Sequence, residues 1–180
     1  MRLYSGTSMQ FFKDVTLNQI ADKLCQAFFN YRRYSPPDAE KRAWQNSLRA
    51  LSDVFQYTKL FDHGIILEYQ LPLTSKRLDC LICGSDKKAN HNAVIIELKQ
   101  WDKCEDAEGE KILTWVAGAD REVLHPSIQV GQYKMYLEDT HTAFHESSFP
   151  VSLNACAYLH NYNYYKEDVL LLPKFADYLA

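Results

Sequence analysis

The chain has 180 residues, of which 47% are hydrophobic and 24% charged, and its formal net charge is −3. This composition excludes a disordered or fibrous chain and fits one globular domain with its own core. The slightly acidic balance argues against an autonomous nucleic-acid binder that depends on a basic surface. Carboxylates grouped around a metal ion would also lower the net charge, so a nucleic-acid enzyme is not excluded.

The N-terminus and the cysteines bear on where the protein works. Residues 1–5 lead into polar sequence with no apolar signal region, and no apolar run approaches the length of a membrane span. The five cysteines are an odd number, and a chain of this length does not need disulfides for stability. We therefore expect a cytoplasmic protein with reduced thiols and no membrane partner.

Helical patterns dominate the first third of the chain. Thr16 and Gln19 have the spacing of a capping box, which predicts that a helix starts there. Apolar residues then recur at helical spacing at Leu17, Ile20, Leu24, Phe28 and Tyr31. The prolines at 36 and 37 end this helix, and a second follows with the apolar stripe Trp44, Leu48, Leu51 and Phe55. We expect residues 1–60 to be helical and residues 61–180 to form the α/β core of the same single domain.

The periodicity then changes to that of strands. Residues 65–71 and 77–83 read as two strands joined by a short turn, and residues 93–99 as a buried third strand after a polar turn. Further along we expect a loop at 102–110, a short strand at 111–118, a loop at 120–126, a helix at 127–139, and strands at 151–160 and 168–172. This order predicts an α/β fold with a mixed central sheet flanked by helices. Residues 173–180 look like the start of a helix, so we expect the natural protein to continue and this chain to be its N-terminal part.

One apolar strand carries charges. Glu97 and Lys99 are two residues apart and therefore project from the same face, and Asp79 lies in the preceding strand. Two neighbouring carboxylates repel each other, and a divalent cation removes that repulsion. Mg²⁺ is usually held by one or two carboxylates together with water and phosphate oxygens. These residues therefore favour metal-assisted phosphodiester hydrolysis, with Lys99 orienting water. The alternative is a surface ion pair on an edge strand, against which the apolar neighbours of Glu97 argue.

Asp79 followed by the triplet Glu97-Leu98-Lys99 resembles the core of the PD-(D/E)xK nuclease superfamily, although Leu78 stands where the superfamily name has Pro. The resemblance implies a restriction-endonuclease-like core and a site for Mg²⁺ or Mn²⁺ formed by Asp79, Glu97 and the Leu98 carbonyl, with Lys99 serving the water. Gln129 and Tyr133 match the QxxxY helix of the RecB-type branch. As i and i+4 neighbours they share a helix face, where they would orient the site and contact the nucleic-acid backbone.

Residues 40–160 also resemble the nuclease-like domain that precedes Schlafen-type P-loop helicases in bacterial proteins. That resemblance implies a helicase module as partner in the same polypeptide, and a role in DNA processing or anti-phage defence. No G-x-x-x-x-G-K-[ST] motif occurs in this chain, so the helicase itself is absent. On the resemblance alone, DNA is favoured over RNA as the substrate.

Three further residues are candidates of lower rank. Glu68 lies one strand before Asp79 and is a further candidate metal ligand, with a solvent-facing position as the alternative. Glu40 on the second helix matches an acid that some superfamily members use, but we expect a solvated face there. His125 precedes the helix that carries Gln129, where it would either contact a phosphate or make a structural hydrogen bond.

The leading hypothesis from the sequence is a Mg²⁺-dependent nuclease. The first rival is a catalytically inactive nucleic-acid-binding or regulatory module of the same fold. The second rival is a protein-interaction domain that uses its Tyr-rich C-terminal strand, which would lose partner binding when Tyr164 and Tyr165 are mutated. Cleavage, binding without cleavage, and protein binding without nucleic-acid affinity distinguish the three.

Overall fold

The computed structural model describes residues 1–145 and 150–179. The elements run in the order β1 (Tyr4–Thr7), α1 (Ser8–Thr16), α2 (Ile20–Arg32), α3 (Asp38–Thr58), β2 (Gly64–Gln70), β3 (Arg77–Ser85), β4 (His91–Lys99), β5 (Glu105–Asp106), β6 (Lys111–Val116), β7 (Ala119–Leu124), α4 (Pro126–Thr140) and β8 (Ser152–Leu159). Short 3₁₀ turns follow at Thr142–Phe144, Val169–Leu171 and Pro173–Tyr178.

The main sheet has five strands in the order β1-β2-β3-β4-β8. Strands β1 to β4 are antiparallel to their neighbours, and β8 lies parallel to β4. A parallel pair needs a long crossover, and here the crossover contains the small sheet β5-β6-β7 and the helix α4. The predicted α/β fold with a mixed sheet flanked by helices is therefore confirmed.

Apolar residues on the two faces of the sheet belong to two separate clusters. On one face, strand residues such as Ile65, Leu67 and Ile82 pack with helices α1, α2 and α3. On the other face, Ala93 and Ile95 of β4 pack with α4. Strand β4 is thus covered on both sides, which explains its almost continuous apolar sequence. Within the described ranges, no helix is long and apolar enough to cross a membrane.

A third apolar cluster lies beside the sheet and joins the small sheet to the C-terminal segment. Its buried members are Trp101, Ile112, Ile128, Leu170 and Phe175. This cluster fixes the small sheet and the start of α4 next to the end of β4. The carboxyl end of β4, which carries Glu97 and Lys99, therefore has a rigid wall beside it.

The start of the chain corrects two predictions. Thr16 is the last residue of α1, and its hydroxyl donates to the Phe12 carbonyl at 2.9 Å instead of capping a new helix. The same Thr-x-x-Gln spacing occurs at Thr7, whose side chain does accept from the Gln10 amide at 3.1 Å and caps α1. Strand β1 joins the sheet, so residues 1–60 are not helical throughout.

Two later predictions are also corrected. Residues predicted as a loop at 120–126 mostly form β7, which pairs with β6 through a tight turn at Ala117 and Gly118. Residues 168–172 were predicted as a strand, but they contain a 3₁₀ turn at Val169–Leu171, in which the Asp168 carboxylate accepts from the Leu170 amide at 2.9 Å. Another 3₁₀ turn follows at Pro173–Tyr178, and Ala180 lies outside the described residues.

Candidate active site

Three carboxylates occupy one row across neighbouring strands. The strand registers place Glu68 of β2 opposite Asp79 of β3, and Asp79 opposite Glu97 of β4. Backbone pairing between β2 and β3 skips this row, and pairing between β3 and β4 stops one residue before it. The Asp79 side chain instead accepts a hydrogen bond from the Leu98 amide at 2.7 Å. The sheet is therefore opened at the row where the acids lie.

The backbone at this row departs from regular strand geometry. Glu68 has φ 55°, in the left-handed region that non-glycine residues seldom adopt. On β3, Leu78 and Leu81 are three residues apart yet belong to the same apolar cluster. The strict alternation that the sequence predicts for Asp79, Leu81 and Cys83 is thus interrupted at Asp79. Such local strain is often found at functional sites.

Glu97 is the centre of a hydrogen-bond network. Its Oε1 accepts from Lys99 Nζ at 2.8 Å and from Gln129 Nε2 at 2.6 Å. Gln129 Oε1 accepts from Lys99 Nζ at 3.0 Å, and Gln129 Nε2 also donates to the Tyr133 hydroxyl at 2.9 Å. The four residues predicted from two separate motifs are therefore joined in one network, contributed by β4 and α4.

The Lys99 ammonium is held from several sides. Two of its hydrogens are taken by Glu97 and Gln129, and the ammonium lies 5.3 Å from the centre of the Trp101 ring. A lysine has three such hydrogens, so one remains for water or a phosphate oxygen. Lys99 also lines the same cavity as Asp79. The ammonium is thus fixed at a point where a substrate could reach it.

Two of the buried carboxylates could hold a cation. Glu97 is only 3% exposed, and its Oε2 is buried without a hydrogen-bond partner in the described part of the chain. Burial, together with the nearby charges of Glu97 and Glu68, raises the pKa of Asp79 well above its ordinary value. Two oxygen ligands that repel each other suit Mg²⁺ or Mn²⁺, which needs only one or two carboxylates. Across residues 1–145 and 150–179, no group of three His, Cys, Asp or Glu side chains is placed to hold a metal.

Glu68, the further candidate ligand, has other partners. Its Oε1 accepts from Trp44 Nε1 at 2.7 Å, and its carboxylate pairs with the Arg77 guanidinium. Arg77 also pairs with Glu40 of α3. Burial raises the pKa of Glu68 to about 7, against the opposing effects of Arg77 and Trp44. Glu40 is half-buried and paired, so the predicted solvated face is corrected.

Arg77 and Trp115 are site residues that sequence reasoning did not identify. Both line a cavity of about 410 Å³ that also contains Asp79, Lys99 and Glu40. One wall is the N-terminal half of α3, and the other is the end of the β6–β7 hairpin. The sequence predicts that Arg77 lies on the same strand as Asp79. It does not predict the ion pair with Glu40, because the two residues are 37 positions apart in the chain. Trp115 has no sequence signal beyond its size.

His125 lies away from the acids. Its ring is buried, its Nδ1 accepts from the Ser127 amide at 3.2 Å, and its Nε2 lies 3.2 Å from the Leu170 carbonyl. The ring also stacks on Phe175 at 4.1 Å. These contacts support the structural alternative, in which His125 caps α4, and leave no ring surface for a phosphate.

Gln129 and Tyr133 were also predicted to contact the nucleic-acid backbone. Tyr133 is buried, and its hydroxyl is bonded to Gln129. Gln129 bonds to both Glu97 and Lys99, and Tyr133 bonds to Gln129. Contact of either side chain with a nucleic acid stays a prediction. A larger groove of about 790 Å³ between α4, β8 and the C-terminal segment is lined by neither Asp79 nor Lys99.

Neither a protein-family model, nor a curated protein, nor a solved structure matches this chain. The likeness to the PD-(D/E)xK superfamily therefore depends on the residues themselves.

Proposed function

We propose that this chain is a metal-dependent nuclease domain with a restriction-endonuclease-like core, which hydrolyses phosphodiester bonds of nucleic acid. The observation that carries the proposal is the unequal bonding of the two Glu97 carboxylate oxygens. One carboxylate oxygen is fixed by Lys99 and Gln129, while the other is buried without a partner, in the row that Asp79 shares. A buried and unpaired carboxylate oxygen is costly unless a cation binds it.

Asp79 and Glu97, with the Leu98 carbonyl expected from the resemblance, would hold Mg²⁺ or Mn²⁺. When bound, the ion supplies positive charge that stabilises the negative charge developing on the phosphate. Glu68 is better suited to holding Arg77 than to holding the ion, because both of its oxygens face protein donors.

Lys99 is the residue that serves water in this proposal. Its ammonium donates to Glu97 and Gln129 and has one further hydrogen available on the side of the cavity. From there it can orient an attacking water and offset phosphate charge. Gln129 is a positioning residue because it bonds to both Glu97 and Lys99, and Tyr133 in turn accepts from Gln129.

The substrate and the biological role extend this proposal. DNA is favoured over RNA on the resemblance alone. A helicase module in the same polypeptide would deliver strands to the site, in DNA processing or in anti-phage defence. The rival is an inactive module that binds nucleic acid without cutting it.

Cleavage assays with the purified chain test the proposal. Labelled DNA and RNA are incubated with Mg²⁺, with Mn²⁺ and with EDTA. We expect cleavage only with metal, and a loss of about 10²-fold or more in Glu97→Gln and in Lys99→Met, since single catalytic groups contribute on that order. The matched controls are Glu138→Gln and Lys134→Met, which alter an exposed pair on α4. Cleavage that survives both site substitutions, or that persists in EDTA, contradicts the proposal, and salt-dependent binding without cleavage favours the rival.

A further inference from the structure

A large aromatic side chain stands exposed at the rim of the cavity. Trp115 is 56% exposed and lines the cavity that contains Asp79 and Lys99. Its neighbours along β6 point the other way, because Ile112 is fully buried and the Thr114 hydroxyl donates to the Lys103 carbonyl at 2.8 Å. The strand is thus anchored on one face and presents Trp115 on the other.

The hairpin that carries Trp115 is tightly closed. Val116 pairs with Ala119, and the two residues between them, Ala117 and Gly118, have φ of 52° and 85°. Two-residue turns with positive φ match the twist of hairpin strands and hold them in register. Trp115 is therefore presented by a rigid element at a fixed position over the cavity.

The surroundings of Trp115 favour contact through the ring face and not through charge. Its partner across the hairpin is Asp120, and Lys111 at the other end of β6 is paired with Glu122. Asp120 and the adjacent Arg121 carry opposite charges, so this end of the hairpin offers no net positive charge to a phosphate. An aromatic face, by contrast, stacks on any nucleobase without regard to sequence.

The size of the cavity indicates whether single-stranded or double-stranded nucleic acid fits. A space of about 410 Å³ is within the range of small-ligand sites, enough for a nucleotide and too small for a duplex to enter. In a duplex the bases stack on each other, so an aromatic platform needs an unpaired base.

We propose that Trp115 is a stacking platform for an unpaired nucleobase, which makes single-stranded nucleic acid or an unpaired end the substrate class of the cavity. This inference deepens the proposed function and depends on it for the class of ligand. In this arrangement the nucleic-acid strand lies between α3 and the β6–β7 hairpin, with one base on the Trp115 ring and the phosphate backbone toward Lys99.

Binding measurements on the full chain test the inference without requiring cleavage. Fluorescence anisotropy of a labelled single strand, and of the blunt duplex of the same sequence, is measured in EDTA and in Ca²⁺. We expect Trp115→Ala to weaken single-strand binding about 5- to 150-fold, as alanine substitution of stacking aromatics does, and to change duplex binding about twofold or less. Tyr57→Ala, which removes a 91% exposed aromatic outside the cavity, is the matched control and should bind like the parent.

Two further readouts separate stacking from general damage. Trp115→Phe keeps an aromatic face, so it should retain most of the affinity while losing part of the tryptophan quenching that the strand causes. The slope of log affinity against log salt should be unchanged in Trp115→Ala, because no phosphate contact is lost.

Several outcomes overturn the inference. The first is parent-like single-strand affinity in Trp115→Ala, which would indicate that the ring contacts a protein instead. The second is an equal loss of affinity for single strand and duplex. The third is no single-strand binding in either buffer. Trp115-dependent binding in a chain that never cleaves would support the inference while refuting the nuclease proposal. Normal cleavage with unchanged affinity in Trp115→Ala would do the reverse.

Discussion

Glu97 shows how one buried side chain can organise a site. Its charge is taken out of water, which costs free energy that a single surface-type ion pair would not offset. Here Lys99 and Gln129 both donate to the same oxygen, and their own remaining groups are bonded to each other. The network therefore restricts the rotamers of all three side chains and leaves the second Glu97 oxygen free for an external cation.

Gln129→Leu tests the value of that network. The change keeps side-chain volume but removes the amide, so Glu97 and Tyr133 each lose a donor and Lys99 loses an acceptor in a buried setting. We expect the free energy of unfolding, measured by urea denaturation, to fall by about 1–3 kcal/mol. Gln132→Leu on the same helix is the control, because its amide meets Lys76 at the surface, and a change within about 0.5 kcal/mol is expected. Equal effects of the two substitutions would contradict the network.

The residues of the site were predictable where local periodicity determines them. Glu97 and Lys99 follow from strand alternation, and Gln129 with Tyr133 from helical spacing. The alternation predicted for the Asp79 strand is interrupted at Asp79, whose place beside Glu97 comes from the register of the two strands. Glu40 was underestimated because its ion pair with Arg77 depends on how α3 lies across β3, which no local pattern encodes. The same holds for Trp115, which reaches the cavity only through the fold of a hairpin.

At the scale of elements, a buried carboxylate connects the first three elements of the chain, β1, α1 and α2. Asp14 of α1 is 1% exposed and accepts from Tyr4 of β1 at 3.0 Å, from Gln10 at 2.8 Å and from Lys23 of α2 at 2.7 Å. Burial alone would raise the pKa of Asp14, but these hydrogen bonds outweigh it and lower the pKa. The ionised form thus fastens β1, α1 and α2 together.

The substitution Asp14→Asn tests the role of the Asp14 charge through the pH dependence of the free energy of unfolding. A carboxyl whose pKa is lower in the folded state contributes stability above its unfolded pKa of about 3.9, and loses it as pH falls through the folded pKa. We expect the substitution to destabilise the protein at pH 7 by about 1–3 kcal/mol, with the difference from the parent shrinking below about pH 4. Urea denaturation at each pH measures it. A difference that is constant from pH 7 to pH 3 would show that the charge of Asp14 is not what matters.

Long apolar elements were predicted well, and short or polar ones were not. Strands β2 to β4 and β8 and helices α3 and α4 carry periodic buried residues, so their sequences are sufficient. Strand β7 was missed because its central residues Asp120, Arg121 and Glu122 are all exposed. The run at 168–172 was read as a strand because Leu170 and its neighbours are apolar, whereas they pack sideways into the third cluster.

At the scale of the whole molecule, the candidate site is a source of instability. Buried apolar clusters cover both faces of the sheet, and the row of Glu68, Asp79 and Glu97 interrupts them, because backbone pairing is lost there and carboxylates are buried together. Only Arg77 and Lys99 offset these charges among the described residues around the row. The free energy of unfolding is thus lower than it would be without these buried charges, and a bound cation would raise it.

Asp79→Asn should therefore stabilise the metal-free protein. Asparagine can still accept from the Leu98 amide, but it removes the repulsion between Asp79 and its acidic neighbours. In EDTA we expect a higher melting temperature than the parent, by about 2–4 °C for each kcal/mol relieved. Mn²⁺ should raise the melting temperature of the parent, since 100-fold excess over Kd contributes about 2.7 kcal/mol, and should leave the variant unchanged. Asp53→Asn, at an exposed position of α3, is the control. A Mn²⁺ shift that persists in Asp79→Asn would place the ion elsewhere.

The most direct measurement is the anomalous scattering of Mn²⁺ in crystals of the parent protein soaked to saturation. If Asp79 and Glu97 form the metal centre, a single strong peak appears within about 2.5 Å of a carboxylate oxygen of each. No peak at that position, or a peak that touches only one of the two carboxylates, would contradict the metal-dependent site on which the nuclease proposal depends.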